Sequence, residues 1–476
     1  MRTTSDICIL GGGPAGSVLA IRLAQLGHEV CVVERAAFPR RHLGESLSPG
    51  ALPLLASIGL RPAMASGGFT PVRTVAIHWD QGPQQREDPT SQGLLVDRGH
   101  FDQSLLNHAR ALGVRVFQPA TVAEKALRDD GWNLRIETEA GALELRAAFL
   151  ADATGRAARL RSHRRPTGCR TVALHAYWQG GELPTQPRIK AGEAEWYWGV
   201  PLPNGIYNTL IFLDAARFRA ARASLLSAGF RALIEHSGLL AGATGARLLG
   251  RVFAADATPY LDEESLTLRS IKVGDAALAL DPLSSSGVQK AIQTALSGAV
   301  VVNTLLRKPE LGEAARRFYG DRLREASDQH RQWAAAQYAS VAAQRAGTFW
   351  SDRAAAAPLA APPRPAREVA SPGPPQETPL VLSRDVSLVD LPCLAGAFVQ
   401  IKAAVQHPAL AGPVAYLGNW ELAPLLQRVR AGMTLRQVAL TWAPAVPLDD
   451  GHAIARWLVG HGILEPRTTA QERLAA

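Results

Sequence analysis

The apolar positions of this chain follow two rhythms that change along its length. A continuous run, Ile7-Cys8-Ile9-Leu10, gives way to Gly11-Gly12-Gly13-Pro14-Ala15-Gly16 and then to apolar residues at helical spacing. A second run, Val30-Cys31-Val32-Val33, ends on Glu34. Short continuous runs predict strands buried on both faces, so the chain opens as strand, glycine turn, helix, strand. Two Pro- and Gly-punctuated segments, 66–94 and 166–255, alternate apolar and polar residues, as in 72–79 and 207–213. That period predicts strands of an antiparallel sheet. Helical spacing returns over 288–306 and 313–346, where two long helices are expected. Residues 354–379 are rich in Ala and Pro and read as a linker or extended strap. Beyond it, 434–442 and 451–462 predict two helices joined by a Pro-bearing turn.

The opening pattern carries chemistry. Gly11 suits the tight turn, Gly13 leaves room for backbone to approach a pyrophosphate, and Gly16 allows close packing of helix on strand. Pro14 and Ala15 begin a helix whose free N–H groups suit phosphate. Glu34, 18 residues after Gly16, is placed for a ribose hydroxyl. A dinucleotide is the expected ligand.

Composition narrows the class. The 476 residues, 47% of them hydrophobic, allow two or three domains with a large core. The four cysteines are scattered, with no paired spacing for a metal or redox site, so no metal is expected and a cytoplasmic setting fits. The first strand starts too early for a signal peptide, and no apolar run approaches the ~20 residues of a membrane span. The net charge of +9 fits generic surface charge or attraction to an acidic partner. No module for nucleic acid is apparent.

Further motifs follow in order: Arg41-His42-Leu43-Gly44-Glu45-Ser46-Leu47, Arg98-Gly99-His100-Phe101-Asp102, Ala151-Asp152-Ala153-Thr154-Gly155, Gly274-Asp275, and Asp281-Pro282-Leu283-Ser284-Ser285-Ser286-Gly287-Val288. Together they resemble the flavin-dependent monooxygenases of the para-hydroxybenzoate hydroxylase type, over about residues 5–345. The last segment, with Trp196-Tyr197-Trp198-Gly199-Val200-Pro201, resembles the tryptophan-halogenase branch. The resemblance implies an α/β fold: a Rossmann-like FAD-binding domain with an inserted antiparallel-sheet substrate domain. A mostly helical C-terminal domain, which resembles a winged helix, follows. The expected divisions are FAD-binding parts at 1–65, 95–165 and 256–350, substrate parts at 66–94 and 166–255, the linker at 351–379, and a small domain at 380–476. The helix bearing His452, Arg456 and His461 is poorly basic, so docking suits that domain better than reading DNA.

The resemblance also implies FAD as cofactor, with contacts from Gly11, Gly13, Pro14, Ala15, Gly16, Glu34, Arg35, Arg41, Gly44, Glu45, Ser46, Arg98, Asp152, Ala153, Gly274, Asp275, Pro282, Ser286, Gly287 and Val288. Ser284 and Ser285 stand beside the isoalloxazine, at the positive end of the helix starting near Val288. His78 and His175 are candidate bases. Trp79, Trp196 and Trp198 could stack on an aromatic substrate, and Arg73 is a candidate contact.

Halogenases of this branch carry a lysine before a strand ending in an aromatic residue. Here the matching stretch, 72–79, has none, and the first lysine in the chain is Lys125. Arg73 is a poor nucleophile in its place. The absence points to hydroxylation of an electron-rich aromatic through a flavin C4a-hydroperoxide. Within the branch, the flavoproteins that modify peptidyl tryptophan for quinohemoprotein amine dehydrogenase, in cysteine tryptophylquinone biogenesis, share the missing lysine and the added domain. A partner polypeptide, acidic to suit the basic chain, is then the expected substrate, and a separate flavin reductase is a possible electron source. The alternatives are a small-molecule aromatic hydroxylase, a halogenase, a flavin reductase of isoprenoid chains and a non-catalytic FAD-containing chaperone.

Overall fold

A computed structural model describes residues 2–40, 42–80, 82–87, 93–356 and 377–467. The chain divides into two compact units, Met1–Pro358 and Leu359–Ala476.

The first unit is built on the opening pattern. Strand β1 (Arg2–Leu10) leads through the glycine turn into helix α1 (Pro14–Gln25), and β2 (Val30–Val33) returns parallel to β1. The sheet runs in the order Arg115–Phe117, β2, β1, Gly141–Asp152, Gly131–Thr138, Ala120–Arg128, and Ser270–Lys272 adds in parallel to Gly141–Asp152. Ile7, Cys8, Ile9, Cys31 and Val32 are fully buried, as strands covered on both faces require. Helix Gly287–Arg307 packs beside α1, and helix Gly312–Ala342 follows it.

A second seven-stranded sheet holds Arg247–Asp256, Thr171–Gln179, Ile206–Asp214, Glu195–Leu202, Arg188–Ala191, Thr74–His78 and Pro83–Glu87, in that order. It departs from the expected antiparallel sheet at one joint, where Arg188–Ala191 and Thr74–His78 run parallel. The stretch 72–79 is not one strand. Thr70–Val72 pairs with Gly93–Leu95 in a small separate sheet, and the chain changes sheets at Arg73. Three helices between Ala215 and Ser237 interrupt the range read as sheet.

Side chains alternate across this sheet. One face carries Ile77, Trp79, Ala173, Ile189, Trp196, Leu210 and Phe212, and packs on Tyr338, Val341 and Trp350. Leu43 and Leu283 join it from the two loops beside the cofactor motifs, so we call it the inner face. The outer face carries Leu174, Ala176, Tyr197 and Ile211 against Phe230 and Ile234 of the helix Ala228–Ser237.

In the second unit, helices Leu435–Thr441 and Leu448–Gly460 stand where two helices were expected. Thr434 and Gln437 close a reciprocal cap at the start of the first. Trp442, Val438, Leu458 and Ile463 form the core. A hairpin, Ser387–Ala395 with Phe398–Gln406, accompanies these helices. Helix Thr348–Ala355 runs into the range read as linker, and residues 357–376 of that range lie outside the described residues.

Candidate active site

The glycine turn separates space for a ligand from space for packing. A Cβ at Gly16 would lie 1.9 Å from the Gly11 carbonyl oxygen, and one at Gly11 would lie 2.6 Å from the Ala153 carbonyl oxygen. Both glycines are therefore demanded by the fold itself. A Cβ at Gly13 would meet only Arg40 Nη2, at 3.7 Å. Gly13 is the N-cap of α1 and no side chain caps the helix there, so the first N–H groups of the helix are free for an anion. Arg40 Nη1 is buried without a hydrogen-bond partner, 3.4 Å from Asp102. An open cradle, a free helix N-terminus and an unsatisfied guanidinium fit a pyrophosphate.

Other motif residues converge on the same groove. Gly274 packs on the start of α1, where its Cβ would lie 2.8 Å from that of Ala15. Asp275 accepts from Lys290 Nζ at 2.6 Å and lies 3.7 Å from Arg156. Burial alone would raise its pKa, but Lys290 and Arg156 outweigh burial and hold the carboxylate below its usual range. Val288 stands 3.6 Å from the Cβ position of Gly44. Pro282 opens a short turn, Ser285 takes a left-handed conformation (φ 50°), and Ser284 and Ser286 share a 2.5 Å hydroxyl contact. Ser286 caps helix Gly287–Arg307 without a side-chain bond, and a Cβ at Gly287 would meet nothing within 4 Å. This is a second open helix end.

Several expected contacts take other roles. The Asp152 carboxylate is turned to its own turn, where it accepts from Thr154 N, Thr154 Oγ1, Arg159 N and Leu160 N. It is a structural cap, and Ala153 is its packing neighbour against Gly11 and Gly16. Glu45 faces the second sheet and accepts from Asn208 at 3.0 Å and Tyr177 at 3.3 Å, with burial raising its pKa. Glu34 accepts from Gly12 N and Ala36 N. Arg98 is buried, paired with Asp102, and donates to the Leu43 carbonyl. Ser46 pairs opposite Leu95 in the small sheet, Arg35 is exposed, and Arg41 lies outside the described residues.

The substrate-side expectations divide by face. His78 points to the outer face, exposed and in register with Lys190. Burial and the Lys190 and Arg188 charges lower its pKa. It cannot serve a site on the inner face. Trp79 is core: its Nε1 donates to the Gln337 carbonyl and its ring meets Trp350 edge-on at 5.4 Å. Trp196 is 2% exposed, stacked on Phe212 at 3.8 Å and edge-on to Trp79 at 6.2 Å, so both its ring neighbours are protein. Trp198 is half-buried on the inner face, opposite Leu210 and Ile189. Arg73 is exposed between two strands.

His175 lies on the inner face. It stacks on Phe253 at 5.2 Å, and its buried Nδ1 has no hydrogen-bond partner among the described residues. Burial pushes its pKa down to about 4, so the imidazole is neutral at pH 7. Between about pH 6.5 and about 4 the unfolded chain binds this proton and the folded chain does not, so stability falls as pH drops through that window. His175→Phe, which keeps the stack, should flatten this part of the pH dependence. Urea midpoints at both ends of the window check it, and an unchanged slope refutes it.

Arg40, Lys290, Tyr177 and Asn208 were not found by sequence reasoning. Their roles depend on loop and sheet geometry, and only the basic character of Arg40, next to Arg41, gave a signal.

The FAD binding domain family matches residues 4–172. A tryptophan 2-halogenase of Chondromyces crocatus is 31% identical over 349 residues, 67% of this chain. The match takes in 64% of that halogenase's length. Among solved structures, the peptidyl tryptophan dihydroxylase QhpG, essential for tryptophylquinone cofactor biogenesis, is 29% identical with a TM-score of 0.72. That match covers 97% of this chain and 100% of the other. The flavin-dependent halogenase CmlS, at 20% identity and TM-score 0.77, covers 99% of this chain and 97% of its own, and shares the fold. FAD is the cofactor of this chain.

Proposed function

We propose that this FAD-binding, halogenase-like chain is a monooxygenase that hydroxylates a tryptophan within a partner polypeptide. The observation that carries the reading is where the lysines lie. Of six in the chain, Lys190 is the one beside the strand Thr74–His78, and it faces outward, donating to the Ser237 carbonyl. Lys272, Lys290 and Lys402 are held by Asp262, Asp275 and Glu421. Lys125 belongs to the strand Ala120–Arg128 of the first sheet, and Lys308 follows helix Gly287–Arg307. None faces the groove from the inner face to relay a halogen. The similarity to QhpG, which spans both units, supports a peptidyl tryptophan as substrate.

Held between the glycine turn and the start of helix Gly287–Arg307, reduced FAD would supply the two electrons for placing one atom of dioxygen on a ring carbon and the other in water. The protein orients the ring. His175, neutral and stacked on Phe253, is the acceptor this reading assigns to the indole N–H, with Trp198 two strands away on the same inner face. The free end of helix Gly287–Arg307 stabilises negative charge on the reduced ring. Any steering of an acidic partner by the net charge of +9 weakens with salt.

A halogenase reading is favoured by the named relatives, among them the tryptophan 2-halogenase. One experiment separates the two. Protein, reduced flavin, dioxygen and bromide are incubated with free tryptophan or with a small tryptophan-containing polypeptide of the kind matured to tryptophylquinone. Oxygen incorporation into the polypeptide, and no brominated product, is expected. Robust bromotryptophan refutes the hydroxylase reading.

A further inference from the structure

The loop that carries Ser284 to Val288 is tied at its start by hydrogen bonds as well as by the packing of Leu283. Behind it lies a cavity of about 20 Å³, lined by Cys169, Pro259, Asp281, His330, Tyr338 and Arg353. The loop also contains a non-glycine residue in the left-handed region, Ser285, a conformation that persists only where its surroundings impose it.

The residue that opens the loop, Asp281, is held from helix Gly312–Ala342. Tyr338 donates its hydroxyl to both oxygens of Asp281, at 3.0 and 3.2 Å. Asp281 in turn accepts from Leu283 N at 3.0 Å, which closes the turn at the start of the loop. His330 Nε2 lies 3.0 Å from the Asp281 carbonyl oxygen. The tyrosine ring is itself fixed, with Trp79 at 6.4 Å and Trp350 at 6.1 Å. Both tryptophans pack on the inner face of the second sheet. A phenylalanine would fill the same space, so packing alone does not account for the hydroxyl.

We propose that Tyr338 is a positioning residue that ties Asp281 to the Trp79–Trp350 cluster and so fixes residues 284–288, the stretch offered to the flavin. Burial raises the pKa of Asp281 and of Tyr338, and the phenol keeps its proton as the donor of this bond. The inference rests on the FAD site alone and is independent of which substrate is oxidised.

The test compares Tyr338→Phe, Asp281→Ala and the double variant, without substrate. In the apoprotein, Tyr338→Phe should leave the thermal midpoint within a few degrees of wild type and speed hydrogen exchange at the Leu283 amide. In the FAD-loaded protein the dissociation constant should rise about tenfold, with a changed visible absorption envelope. The double variant should bind FAD no more weakly than Asp281→Ala, because both remove one linkage. Wild-type exchange, affinity and spectrum in Tyr338→Phe would overturn the proposal, as would independent, multiplying effects in the double variant. Should Tyr338→Phe fail to fold, Asp281→Ala carries the same three readouts, and wild-type values there overturn it equally.

Discussion

Replacing Gly13 by valine should abolish FAD retention while leaving the apoprotein folded. The backbone at Gly13 has φ −70° and ψ −174°, extended geometry open to any residue. The nearest obstacle to a new side chain is the far end of Arg40, at 3.7 Å. Nothing in the apoprotein therefore resists the substitution. The valine would, however, fill the space through which the first N–H groups of α1 reach a phosphate. Losing two or more charge-assisted hydrogen bonds, each about 1.5–3 kcal/mol, weakens binding by at least about two orders of magnitude. Gly16→Val is the contrasting control. Its side chain would meet the Gly11 carbonyl oxygen at 1.9 Å, so that variant should not fold. Purification without flavin, with a native circular dichroism spectrum, is the expected outcome for Gly13→Val. A yellow protein with wild-type FAD content removes Gly13 from the pyrophosphate site.

Trp196→Ala should cost stability before it costs any substrate contact. The ring is 2% exposed, stacked on Phe212 and edge-on to Trp79 at 6.2 Å. Truncating a buried tryptophan leaves a cavity and costs about 3–5 kcal/mol. The apoprotein should melt several degrees lower, with or without FAD, and Trp196→Phe should recover part of the loss. If Trp196 instead lined the substrate site, the apoprotein would melt as wild type and only KM would rise. Thermal melts of the apoprotein decide between the two.

The contrast between Trp196 and His78 shows how far the sequence could be read. The glycine turn, the buried runs at 7–10 and 30–33 and the helical spacing over Gly287–Arg307 are local signals, and the elements they imply are present. Alternation identified the strands of the second sheet but not their sides. His78 and Trp79 are adjacent, and one residue of phase sends one outward and the other into the core. Whether an inward tryptophan meets substrate or protein depends on residues far along the chain. Phe212 and Trp350 fill the space around Trp196 and Trp79. The break at Arg73 was hidden because 72–79 alternates through it, and only pairing with Gly93–Leu95 reveals the change of sheet. Arg40 escaped notice for a similar reason. Its nearness to Gly13 is set by the path of the intervening loop, which no periodicity describes.

The cofactor groove draws its walls from opposite ends of the first unit: Gly11 to Gly16 on one side, Gly274 to Val288 on the other. A chain emerging from the ribosome has therefore made its phosphate turn long before it has a site. Until about residue 290 is available, the turn is half a clasp, and the strand Thr74–His78 waits a shorter stretch of chain for Arg188–Ala191. Such distant pairings are slow to form because loop closure precedes any reward. Flavin supply then acts as a late fastener: it binds only the closed form, and each tenfold excess of free FAD over its dissociation constant adds about 1.4 kcal/mol to that form's stability. The apoprotein closes without flavin, and bound FAD then lowers the population of the open chain on which proteases act.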